Sequence, residues 1–188
     1  MWLQVIPVGD LQENCCLISR DESSPLVLID PGAETEKLLR AAKGRPVAGI
    51  LLTHGHFDHI GALDAFPDVP VYIHPDDLEM LADPEKNASL SMGCRVSVKH
   101  AALPAEEGAV ISLGGIFFTV WHTPGHSRGS VCYLTEEYLF TGDTLFHRGS
   151  AAPTCTAAAS GSCAARSGGS FPLKRTCAFF PDPARAPV

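Results

Sequence analysis

Short apolar runs, many rich in β-branched residues, alternate along the chain with amphipathic stretches of helical period. The runs at Leu3–Val8, Cys15–Ser19, Leu26–Asp30, Val47–Thr53, Val69–Ile73, Ala109–Leu113, Ile116–Trp121, Ser130–Leu134 and Tyr138–Thr141 have strand length and strand composition. Helical spacing predicts helices at Glu34–Lys43, stopped by Gly44, at His59–Phe66 and at Asp76–Asp83. Hairpin-like strands followed by strand–helix alternation predict a sheet covered by helices, an α/β architecture. The pattern stops near residue 148. Of the last 40 residues 27 are Ala, Ser, Gly, Pro or Cys, and only Leu173 and Val188 are aliphatic beyond alanine. Such a segment buries little apolar surface, so the chain divides into a folded unit, 1–148, and an atypical, poorly ordered tail, 149–188.

Charge sharpens that division. The formal net charge is −7, and residues 1–148 hold 20 of the 21 acidic residues. An acidic chain has no positive field to draw in nucleic acid or an anionic membrane, so neither is expected as a partner. No run of eighteen apolar residues occurs, which argues against a membrane-spanning helix. The first ten residues lack the basic cluster and cleavage site of a signal peptide. The seven cysteines are odd in number and form no Cys-x-x-Cys pair, so the expected home is a reducing cytoplasm. Cys15, Cys16 and Cys132 lie in apolar runs and read as small buried hydrophobes.

The candidate chemistry sits where strands end. Leu51-Leu52-Thr53 runs into His54-Gly55-His56-Phe57-Asp58-His59. Residues i and i+2 of an extended segment project to one side, so His54 and His56 can share a point, and Asp58 and His59 turn back toward it. Imidazoles with a carboxylate suit Zn²⁺, and also Fe or Mn. Two later strands end similarly, one in His122-Thr123-Pro124-Gly125-His126-Ser127 and one in Thr141-Gly142-Asp143-Thr144. His126 and Asp143 therefore join the candidate ligands. His74 and His100 read as structural or exposed residues, and His147 as a loop residue.

These residues carry a family resemblance. His54, His56, Asp58 and His59 match the H-x-H-x-D-H motif of the metallo-β-lactamase superfamily. Asp30-Pro31-Gly32 resembles its first motif, a carboxylate that supports the metal loop from behind. Thr123-Pro124-Gly125-His126-Ser127 and Thr141-Gly142-Asp143-Thr144-Leu145-Phe146 resemble later motifs as found in glyoxalase II-type hydrolases, and Glu13-Asn14-Cys15-Cys16 fits the same branch. The resemblance covers residues 1 to about 148. It implies an αββα sandwich with one or two metals at an edge: His54, His56 and His126 on one, Asp58 and His59 on the other, Asp143 between them. It also implies hydrolysis of a small-molecule thioester, such as a hydroxyacyl-thiol conjugate, by a metal-activated hydroxide that Asp58 helps to orient as a catalytic residue.

The family's fifth motif, a late histidine of the second metal site, has no counterpart, because no histidine follows His147. The sandwich is therefore expected to be incomplete at its C-terminus, with an apolar sheet face exposed and the second metal held by one ligand fewer. The composition break fits a change of reading frame near codon 149. Two rival readings follow. A mononuclear iron persulfide dioxygenase would need only His54, His126 and Asp143, and a truncated family member would be inactive. Oligomeric state is not legible in the sequence.

Overall fold

The computed structural model describes residues 1–145 and 176–177. The atypical tail and His147 otherwise lie outside the described residues, so the expectations made for them are not addressed by the fold.

Two sheets stack face to face. The first has the order β1 (Trp2–Val8), β2 (Glu13–Ser19), β3 (Leu26–Ile29), β4 (Val47–Leu51), β5 (Val71–Ile73), β6 (Ala102–Pro104). The β1–β2 and β2–β3 pairs are antiparallel; from β3 to β6 the pairs are parallel. The second sheet has the order β11 (Thr176–Cys177), β10 (Leu139–Phe140), β9 (Val131–Leu134), β8 (Ile116–His122), β7 (Val110–Leu113). Its pairs are antiparallel except β10–β11.

Strand alternation builds two cores. On β2, Cys16 and Ile18 point into the intersheet layer with Val27, Ile29, Phe118, Val120 and Tyr133. Cys15 and Leu17 point the other way, toward Leu38 and Ala42 of helix α1 (Thr35–Ala42) and toward Ile60, Leu63 and Leu81. The period of two thus assigns each residue of one strand to a different core. Cys15, Cys16 and Cys132 are buried, as their apolar context predicts. Among the described residues, helical Leu38, Ala42, Ile60, Leu63 and Leu81 belong to the first sheet's outer layer. On β7 and β8, Val110 and Phe117 are 61% and 63% exposed.

The predicted strands form with ends shifted by one or two residues. Two predicted helices do not form as whole α-helices. The stretch His59–Phe66 is one turn, α2 (Phe57–Ile60), and then a 3₁₀ turn at Leu63–Ala65. Between them the Ala62 N–H bonds to Pro31 O at 3.0 Å, and a Cβ on Gly61 would lie 2.3 Å from Gly32 O. Tight docking on the Pro31-Gly32 loop breaks the helical ladder there. The stretch Asp76–Asp83 is a 3₁₀ segment, Pro75–Leu81, opened by Pro75 with His74 Nδ1 accepting from the Asp76 N–H at 3.2 Å. The short edge strand β6 carries no strong apolar alternation and is set by its pairing with β5.

The ends of β4, β8 and β10 meet at one rim of the sandwich. There the Val131 N–H bonds to Thr53 O at 2.8 Å, and the Tyr133 hydroxyl bonds to Leu52 O at 2.8 Å. These two bonds tie the sheets together just below the histidine loop.

Candidate metal centre

After β4 the chain bends at Thr53, and its anchor is Asp30. Asp30 ends β3 with a left-handed backbone, φ +52°. One of its carboxylate oxygens accepts from the Thr53 N–H at 2.7 Å, and the other from the Thr53 hydroxyl at 2.6 Å. That second oxygen also lies 3.1 Å from His59 Nδ1. One buried carboxylate therefore orients both ends of the histidine loop.

The hydrogen bonds settle the tautomer of His54. The single proton of the Thr53 hydroxyl goes to Asp30, so its oxygen accepts from His54 Nδ1–H at 3.1 Å. His54 Nε2 then carries a lone pair. That atom is buried and has no hydrogen-bond partner among the described residues. A buried nitrogen lone pair without a donor is a costly arrangement unless a cation sits against it.

The other predicted residues gather around it. The rings of His56, His59 and His126 have centroids 4.7, 4.0 and 4.7 Å from that of His54. His56 Nδ1 and His126 Nε2 are 2.9 Å apart, close enough to share one proton or face one cation. His59 Nε2 faces Asp143 at 3.5 Å and Asp58 at 3.8 Å, and His126 Nε2 faces Asp143 at 3.4 Å. Among the groups whose ligand atoms lie mutually within 4.8 Å are His54, His56 and His126, and His54, His59 and Asp143. The structure thus brings all six predicted residues to one rim, with Asp58 joined through His59. His54 and His59 are buried while the Asp58 and Asp143 side chains are 21% and 30% exposed, so the cluster opens to solvent on its carboxylate side.

Electrostatics sorts the imidazoles into two kinds. Burial, reinforced by neighbouring imidazoles, holds His54 well below the ordinary histidine range and His56 down to about 4. Both are neutral at pH 7, so either can bind a cation without first losing a proton. His59 is equally buried, which opposes its charge, but Asp30 and Glu13 outweigh burial and raise it. Burial raises Glu13, whose carboxylate lies 3.8 Å from His59 Nδ1. Asp143 is held below the usual carboxylate range because its imidazole neighbours, His59 foremost, outweigh its desolvation.

Gly142 lets Asp143 come in. Its φ is +45°, and a Cβ there would lie 2.2 Å from Thr53 Oγ1. His122 and His74 stay out of the cluster and stack on each other at 4.0 Å. His100 bonds to Phe66 O at 3.0 Å. Sequence reasoning did not find Thr53 as an orienting residue, nor Asp77, a buried carboxylate behind both histidine loops. Asp77 resembles any acidic residue in a first helical turn, and no local signal marks its burial.

The profile of the Metallo-beta-lactamase superfamily matches residues 8–174. A Bacillus subtilis protein named "Probable metallo-hydrolase YqgX" is 38% identical over 152 residues, spanning 77% of this chain and 71% of its own. "Hydroxyacylglutathione hydrolase GloC" of Haemophilus influenzae is 32% identical over 164 residues, spanning 79% and 74%. Among solved structures, the BLEG-1 B3 metallo-beta-lactamase superposes with a TM-score of 0.68 at 38% identity, spanning 77% of this chain and 73% of that one. TTHA1623 in a di-iron-bound form superposes with a TM-score of 0.65 at 39% identity, spanning 78% and 75%.

Proposed function

This chain belongs to the metallo-beta-lactamase superfamily, and we propose that it is a metal-dependent hydrolase of the glyoxalase II type that cleaves a small-molecule thioester. The observation that carries the reading is the lone pair of His54 Nε2, buried without a hydrogen-bond partner among the described residues and ringed by three other imidazoles. The donor set, neutral imidazoles with carboxylates on the open side, fits Zn²⁺, and Fe or Mn equally by ligand type. The di-iron form of TTHA1623 keeps iron among the candidates. The name of the Haemophilus influenzae relative supports a hydroxyacyl thioester as substrate.

In this reading His54, His56 and His126 would hold one cation, Asp58 and His59 would hold a second, and Asp143, which faces both His59 and His126, would be a further ligand. A bound divalent metal supplies a water acidified toward neutral pH. The chain's own residues prepare the site for it. Thr53 and Asp30 turn His54 Nε2 and His59 Nε2 toward the centre. Asp58, partly exposed beside His59 Nε2, is the carboxylate placed to take a proton at Oδ2 from an incoming water.

A metal assay with a thioester hydrolysis assay tests this, using His54→Ala as control. Two metals per chain and thioester cleavage that His54→Ala abolishes are expected. Unchanged cleavage in His54→Ala would refute the assignment. The contact of His126 Nε2 with Asp143 Oδ2 at 3.4 Å also suits a site of His54, His126 and Asp143 alone. One iron per chain with oxygen uptake on a persulfide would therefore transfer the protein to the oxidoreductase reading.

A further inference from the structure

Asp77 belongs to neither cation group, yet it is 1% exposed. It lies in the 3₁₀ segment Pro75–Leu81 that follows β5. Its Oδ2 accepts from the Gly55 N–H at 3.1 Å and from the Ser127 hydroxyl at 2.6 Å; its Oδ1 accepts from the Gly129 N–H at 2.7 Å. Gly55 separates His54 from His56, and Ser127 follows His126. One carboxylate thus joins two histidine loops that are some 70 residues apart in the chain. The contact is close by construction, since a Cβ on Gly129 would lie 2.8 Å from Asp77 Cγ.

The segment that carries Asp77 is itself braced. His74, its N-cap, stacks on His122 with planes 10° apart, and His122 Nε2 lies 2.9 Å from Arg128 O. His74, Asp76 and His122 also bring three ligand atoms within 4.8 Å. Nearly parallel stacked rings cannot both aim in-plane lone pairs at one ion, so this group serves as a strut. On the other side, Ser127 N–H bonds to Ser130 Oγ at 2.9 Å, closing the His126 loop on itself.

We propose that Asp77 is a positioning residue for the first cation site: by accepting from both loops, its carboxylate sets the spacing of the His54–His56 pair from His126. The inference rests on the metal-hydrolase reading. A residue needed only to fill this space would be apolar, because burying a carboxylate is costly and is offset only by donors aimed at it. Here those donors are two backbone N–H groups and a hydroxyl, all from the loops that carry the histidines.

Asp77→Asn tests it. The amide keeps the shape, but its NH₂ cannot accept from the Gly55 N–H. Co²⁺ binding to the full chain is measured by chelator competition, together with the Co²⁺ d–d absorption. Affinity is expected to fall about 10- to 100-fold, as when a partner of a metal-bound histidine is lost, and the d–d bands are expected to change. Ser127→Ala removes one donor only and should give a smaller loss of the same sign. Leu38→Ala, in the outer layer on α1, should lower the melting temperature and leave Co²⁺ affinity and spectrum unchanged. If Asp77→Asn melts lower but binds Co²⁺ with wild-type affinity and spectrum, the proposal is overturned. Should Asp77→Asn fail to fold, Ser127→Ala decides, and wild-type Co²⁺ affinity in it overturns the proposal. A wild-type chain that binds no Co²⁺, or binding that survives His54→Ala, defeats the metal-hydrolase reading instead.

Discussion

Asp30 shows how much one side chain can carry. It adopts a backbone conformation unusual outside glycine, and its two oxygens meet Thr53 twice and His59 once. Asp30→Ala would leave the Thr53 N–H buried without an acceptor, a loss of about 1–3 kcal/mol that urea denaturation would detect. The same variant frees His54 and His59 to rotate, so metal affinity should fall about 10- to 100-fold in chelator competition. Asp30→Asn keeps one acceptor for the Thr53 N–H and tolerates the left-handed backbone, so it should recover most of the stability and little of the affinity. Gly142 is the complementary case. Gly142→Ala adds a left-handed penalty of roughly 1–2 kcal/mol and drives a methyl group into Thr53. Lower stability and weaker metal binding are expected together, and a variant with wild-type values in both would show that Asp143 does not depend on that close approach.

Elements differ in how far local pattern decides them. Helix α1 has an apolar stripe that buries Leu38 and Ala42 and a left-handed residue at each end, so its sequence predicts it well. Leu38→Ala should cost about 2–5 kcal/mol in denaturant unfolding, because it opens a cavity in the outer core layer. The strands are legible for the same reason: β2 offers apolar side chains to both cores, and β8 alternates buried Ile116, Phe118 and Val120 with exposed Phe117. The helices predicted at His59–Phe66 and Asp76–Asp83 fail where tertiary contacts outbid the ladder. Ala62 gives its N–H to Pro31, and Asp77 is drawn into the rim by Gly55, Ser127 and Gly129. Segments that hold a site in place give up regular structure to do so.

At the scale of the whole molecule, the rim joins the two sheets. Loops from β4, β8 and β10 meet there, and acids and imidazoles face one another. Among the described residues, no helix is long and apolar enough to cross a membrane. A bound cation would relieve the crowded polar groups, so removing metal should destabilise the entire fold. With metal at about 100 times its Kd, binding contributes roughly 2.7 kcal/mol, equivalent to roughly 5–11 °C in melting temperature. Scanning calorimetry with and without chelator checks this; equal melting temperatures would mean that the rim holds no metal in the folded protein. The sequence alone was enough to predict the strands and α1 and to single out as candidates His54, His56, Asp58, His59, His126 and Asp143, which the fold brings to one rim, because alternation and motif spacing are local properties that each segment carries with it. Only the tertiary structure decided the tautomer of His54, the reach of Asp30 to both Thr53 and His59, and the burial of Asp77. Those depend on segments distant in the chain meeting at ångström range, and a hydrogen bond exists only once its donor and acceptor have been brought together.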